Sequence, residues 1–168
     1  MTDPIVNAWL THCKLQKTML EAIPQEALLD RPLSNGRTVG AMWAHIHNNR
    51  LSWLEPAAPD LLVGIEKVGK EQFTDKQLIG AAVAASSQAI ADLLERSASR
   101  LNLVGAAAES LPGKGGKVPG FGGHPASFLG YLVAHEAYHH GEIGLALTQS
   151  GHPLDRKVSY SIWDWRGS

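Results

Sequence analysis

The sequence predicts an all-α fold, a helical bundle of four long helices. Four segments of about 17 to 28 residues carry apolar side chains at helical spacing, Pro or Gly breakers separate them, and no stretch alternates as strands do. The first helix starts at Asp3, a capping residue followed by Pro4 in the first turn, and runs to Ile23, where Pro24 stops it. The second begins near Thr38 and passes through Val39, Met42, Trp43, Ile46 and Trp53 to Glu55, ended by Pro56. Thr74 and Gln77 form a predicted capping box that opens a third, alanine-rich helix through Val83, Ile90 and Leu94 to Leu101. The fourth opens at Pro125 and is closed by Gly151, with Pro153 beyond.

Two connections exceed what such a bundle needs. Pro56 to Phe73 holds Pro59, Gly64 and Gly69, and Asn102 to His124 is glycine-rich; both compositions favour mobility. The second leads into the fourth helix and is placed to close over a cleft. Its Gly113-Lys114 pair does not make a phosphate loop, because Ala108 replaces the first glycine and Gly115 the Ser or Thr. In the tail, residues 153–168, Tyr160, Trp163 and Trp165 are expected to pack over one end of the bundle.

At 168 residues the chain reads as one domain spanning residues 1–168, large enough for a core without a metal or disulfide staple. Any metal is then functional. A net charge of −1 and the lack of a Lys/Arg stripe argue against nucleic acid as a partner. No segment offers the roughly 20 apolar residues of a membrane span, and the first twenty residues do not read as a signal peptide. The single cysteine, Cys13, reads as a packing residue, and a reducing cytoplasm fits it best.

The chemistry concentrates in His135-Glu136-Ala137-Tyr138-His139-His140-Gly141-Glu142. Two imidazoles four residues apart lie about 40° apart around a helix, so His135 and His139 can grip one ion. A catalytic metal site takes three protein ligands and leaves a position open, so another must come from elsewhere. The second helix offers His45 and His47, each about 100° from its apolar stripe on opposite sides, and geometry does not choose between them. Glu142 falls about 20° from His135, on the metal face, as an acceptor for a ligand, a further ligand or a base. Glu136 is turned about 100° away, toward a neighbouring helix. The string also satisfies H-E-x-x-H, the zinc-hydrolase signature with the glutamate as base. Glu142 and Leu145 stand where the extended pattern needs Gly and His, and no strand is available to align a peptide.

Thr38-Val39-Gly40 followed by His45, together with Phe128-x-x-Tyr131-Leu132-Val133-x-His135-Glu136-Ala137-x-His139-x-Gly141-Glu142-Ile143, resembles the DinB/YfiT-like helical metalloenzymes. The resemblance implies a four-helix bundle of up-down-down-up topology with a divalent metal between the second and fourth helices. It selects His45, His135 and His139 as ligands and leaves His47 as a boundary residue. Members commonly have Arg where this chain has His140 and Gln where it has Glu142. Three imidazoles suit zinc, with nickel, iron or manganese within the same ligand chemistry. The resemblance further implies a transferase that joins a low-molecular-weight thiol to a small-molecule electrophile. The contrasting reading is a metal-binding bundle without turnover, and the aromatic surface adds a homodimer to the expected partners.

Overall fold

The computed structural model describes residues 3–101, 121 and 124–165, and all regular structure there is helical. Five α-helices follow in order: α1 (Pro4–Ala22), α2 (Val39–Ala57), α3 (Lys76–Leu101), α4 (Pro125–Gln149) and the short α5 (Arg156–Ser161). Single turns of 3-10 helix at Gln25–Leu29, Pro59–Leu62 and Lys70–Gln72 fill the connections. Neither α5 nor these turns was expected from the sequence, because each is too short to show a period.

The helix ends follow local chemistry. Asp3 caps α1 by accepting the Ile5 N–H at 2.8 Å, and Thr38 caps α2 by accepting the Ala41 N–H at 3.2 Å. The expected capping box at Thr74 does not form. Asp75 caps α3 instead, its carboxylate accepting the Leu78 N–H at 2.9 Å, while the Thr74 carbonyl accepts from the Gln25 side chain. Helix α2 continues through Pro56 to Ala57, since a proline in the last turn removes a single rung. At the end of α4, Gly151 takes φ +86°, His152 N–H returns to the Leu147 carbonyl at 2.9 Å and Gly151 N–H to Thr148 at 3.3 Å, a Schellman closure.

Helices α1 and α2 each lie against both α3 and α4. Two apolar clusters result. One gathers Met19, Ile23, Leu28, Trp43, Ile46, Ile143 and Leu147, the other Trp9, Leu54, Ile90, Leu94, Phe128 and Leu132. Transferring such side chains out of water stabilises the fold by about 1.5–3 kcal/mol each. Helix α3 corrects one expectation: Lys76–Ser99 is long and apolar enough, by length and composition, to cross a membrane. Its leucines, isoleucines and alanines supply the hydropathy, and half of the most apolar stretch is buried within the protein, as in a core helix.

The Pro56–Phe73 connection is fastened, contrary to the mobility its glycines suggest. Asn48 brackets Val68, donating to its carbonyl at 3.0 Å and accepting from its N–H at 2.9 Å, and His47 Nε2 reaches the Glu66 carbonyl at 2.9 Å. Gly40 sits where a Cβ would lie 1.8 Å from the Phe73 carbonyl oxygen, so only glycine allows this approach. The tail corrects a further expectation. Leu154 and Ile162 pack on the core, while Tyr160 and Trp163 stand largely in water. The proposed closure by residues 102–124 lies almost wholly outside the described residues. Phe121, which is described, packs against Trp53, Phe128 and Tyr131.

Candidate metal centre

Helix α4 presents two polar faces. On the first, His135 and His139 lie one turn apart with their rings nearly perpendicular, centroids 4.7 Å apart and Nε2 atoms at 3.3 Å. His45 of α2 faces both, its ring 5.4 Å from His135 and 4.7 Å from His139. One nitrogen from each of the three lies within 4.8 Å of the others. The structure thus brings together all three histidines named as ligands. His47, the alternative on α2, is fully buried and turned to the Glu66 carbonyl.

This group is a coherent donor set for a divalent ion. Two ligands about 2.0–2.1 Å from a tetrahedral ion stand roughly 3.3–3.4 Å apart, which is the separation of the two Nε2 atoms of α4. Glu142 Oε2 lies 2.7 Å from His139 Nδ1, so it accepts that N–H and leaves the Nε2 lone pair directed at His45 and His135. Asn49 stands 3.5 Å from His135 Nδ1, and Tyr131 stacks on that ring at 5.7 Å. Partial burial, then the Arg37 charge, then the neighbouring imidazoles push His45 down to about 4; burial and His139 lower His135. Both are therefore neutral at pH 7, the form a metal takes.

The second face holds Glu136, which is fully buried. Arg50 of α2 meets it with a two-pronged ion pair, Nε to Oε1 at 2.7 Å and Nη2 to Oε2 at 2.8 Å. Gln16 and His12 of α1 donate to the same Oε2 at 2.5 and 2.8 Å. Arg50 is saturated in turn: Nη2 donates to Gln16 Oε1 at 2.6 Å and Nη1 to Ser87 Oγ at 2.8 Å, and its guanidinium lies 4.9 Å from the Trp9 ring centre. Because His12 Nε2 carries the proton given to Glu136, the second Gln16 N–H is left for His140 Nε2, 3.2 Å away. Burial alone would raise the Glu136 carboxyl, but Arg50 and these hydrogen bonds hold it well below the usual carboxylate range.

That arrangement weighs against the zinc-hydrolase reading. A base must be free to take a proton, and the Glu136 carboxylate is sealed from solvent, bonded at both oxygens and hard to protonate. The sequence reading turned Glu136 away from the ligands but missed its partners. A signal existed: Arg50 continues the Met42, Ile46, Trp53 spacing, so a charge stands on the buried stripe of α2. Cys13 is half-buried, and burial pushes its thiol up to about 11, outweighing the Arg50 charge, as suits a packing residue.

No curated protein and no solved structure matches the chain. The family model described as DinB family matches residues 1–156, nearly the full length and both helices that carry the triad. The chain belongs to the DinB family.

Proposed function

We propose that the chain is a divalent-metal-dependent enzyme in which His45, His135 and His139 hold one ion and a low-molecular-weight thiol is joined to a small electrophile. The observation that carries this reading is the meeting of three imidazole nitrogens from α2 and α4 within 4.8 Å. Zinc suits three neutral imidazoles best, with nickel, iron or manganese as alternatives. The up-down-down-up order of the long helices, with the metal between α2 and α4, belongs to the same proposal. When bound, such an ion lowers the pKa of a thiol or water at its open position.

The chain's own residues do the rest. Glu142 orients His139 through Nδ1. Its side chain is 37 % exposed, so it also stands open to solvent beside the triad, where it can take the proton a thiol releases. For His135 to offer Nε2, its proton sits on Nδ1; Asn49 Nδ2 stands 3.5 Å from that nitrogen, and a half-turn of the amide would bring its oxygen there to accept. Tyr131 and the adjoining Trp53 provide an aromatic wall beside His135 for the electrophile. A cytoplasmic setting and a homodimer complete the proposal.

The test begins with metal content of the purified chain. His45→Ala, His135→Ala and His139→Ala should each lose stoichiometric metal while the helical circular dichroism persists, and His47→Ala should keep it. Full occupancy in all three would dispose of the site. In a cobalt-substituted sample, millimolar cellular thiols should shift the ligand-field spectrum. Their failure to do so would leave metal binding without thiol transfer.

A further inference from the structure

On the side of α4 away from the triad lies a cavity of about 280 Å³, between α1, α4 and the segment after α5. Ala137, which lines it, is about 200° around the helix from His135, so this space does not belong to the metal centre. Met19, Val133 and Ile162 give it apolar walls, and Trp163 and Trp165 stand beside them. These indoles are 77 % and 41 % exposed, large apolar rings left in water at the edge of a hollow.

Its polar side chains other than the indoles are His12, Gln16 and His140. His12 and Gln16 are more than nine-tenths buried, and both belong to the network around Glu136. Among the described residues, no carboxylate, lysine or arginine lines the cavity. The charges behind it, Arg50 and Glu136, neutralise one another through two hydrogen bonds. A charged ligand group would thus lose its hydration without gaining an opposite charge. A neutral ring with one polar substituent loses little, and can lie on the indoles while its polar group meets an imidazole or the Gln16 amide.

We propose that this cavity is a second ligand site, for a small, neutral, planar aromatic molecule carrying one hydrogen-bonding group, held by Trp163 and Trp165 over His12, Gln16 and His140. The volume admits one or two rings, at the lower end of small-molecule pockets. This site stands independently of the metal reading, since none of its residues is a proposed ligand.

The test uses the full chain labelled with nitrogen-15 and indole as the probe, following the side-chain N–H signals of Trp163 and Trp165. Saturable shifts at sub-millimolar indole are expected. Benzoate and tetramethylammonium, the anionic and cationic probes, should bind at least tenfold more weakly. Ala137→Phe, which fills the cavity from an exposed helix position, should weaken indole at least tenfold. Trp163→Ala, read at Trp165, should weaken it severalfold, and His135→Ala should leave it within twofold. The proposal is overturned by an absence of saturable shifts, by equal binding of a charged probe, or by indifference to Ala137→Phe. Indole signals that move on protein dilution alone would also overturn it, by showing that a second copy of the chain covers the indoles.

Discussion

The two polar faces of α4 are neighbours in sequence and opposites in chemistry. His135 and His139 meet His45 at a partly open site with donor atoms to spare, whereas Glu136, one residue on, is sealed among Arg50, His12 and Gln16 with its bonds filled. The first arrangement gathers partly exposed imidazoles around one point, and the second closes buried charges on each other. A buried carboxylate is therefore no sign of catalysis by itself. What separates the two faces is whether the side chains converge on a point that a ligand can reach or are closed on one another.

The comparison breaks most visibly if the saturated face is opened. Arg50→Met should destabilise the chain by about 3–5 kcal/mol in denaturant unfolding, because it strands the Glu136 charge. Replacing both, Arg50→Met with Glu136→Leu, should recover much of that loss. An Arg50→Met protein as stable as the parent would mean that the ion pair does not hold the helices together.

Acid should separate the faces next. Burial first, and then the neighbouring His12 ring, push His140 down to about 3 from an ordinary 6.5. The unfolded chain therefore takes up this proton first. Stability conferred by the neutral ring is complete above pH 6.5 and declines below it, by about 1.4 kcal/mol per pH unit, until the folded group also titrates. His140→Phe should flatten the stability profile between pH 6 and 4 by close to one proton. An unchanged slope would place the acid sensitivity of that window elsewhere, and not at Glu136, whose contribution is lost only below about pH 4.5, where the unfolded carboxyl starts to take up protons.

On the open face, Glu142→Gln should weaken metal binding about 10- to 100-fold, as loss of a carboxylate behind a ligating histidine does. Competition titration with a chromophoric chelator measures this, and equal affinity would make Glu142 a bystander. The smallest effect belongs to the exposed tail: Trp163→Ala should change unfolding stability by no more than about 0.5 kcal/mol. A larger change would mean that the indole packs more tightly than its exposure allows.

Much of the open face was legible because its geometry is local. The spacing of His135, His139 and Glu142 follows from helix period alone, and the placement of Glu142 beside His139 needed no knowledge of other helices. His45 required the family resemblance, since His45 and His47 lie equally far from the apolar stripe, on opposite sides; the structure tells them apart, His45 facing the α4 imidazoles and His47 fastened to Glu66. The saturated face was half legible. Helix period turned Glu136 away from the ligands, but Arg50 is 86 positions off and Gln16 is 120, contacts that no local pattern encodes. The capping residue of α3 slipped by one place because Thr74 and Asp75 both have the chemistry, and the turn before the helix decides which side chain faces the open amides.

The closeness of Gly40 to the Phe73 carbonyl has a bearing on His45, five residues further along α2. With no room for even a methyl group between them, that contact acts as an end stop that fixes how far α2 can slide along its axis. A slip of one residue would carry His45 about 1.5 Å along the axis and swing it about 100° around it, away from the two imidazoles of α4. The alignment of a three-histidine site is thus gauged by a glycine that touches none of them.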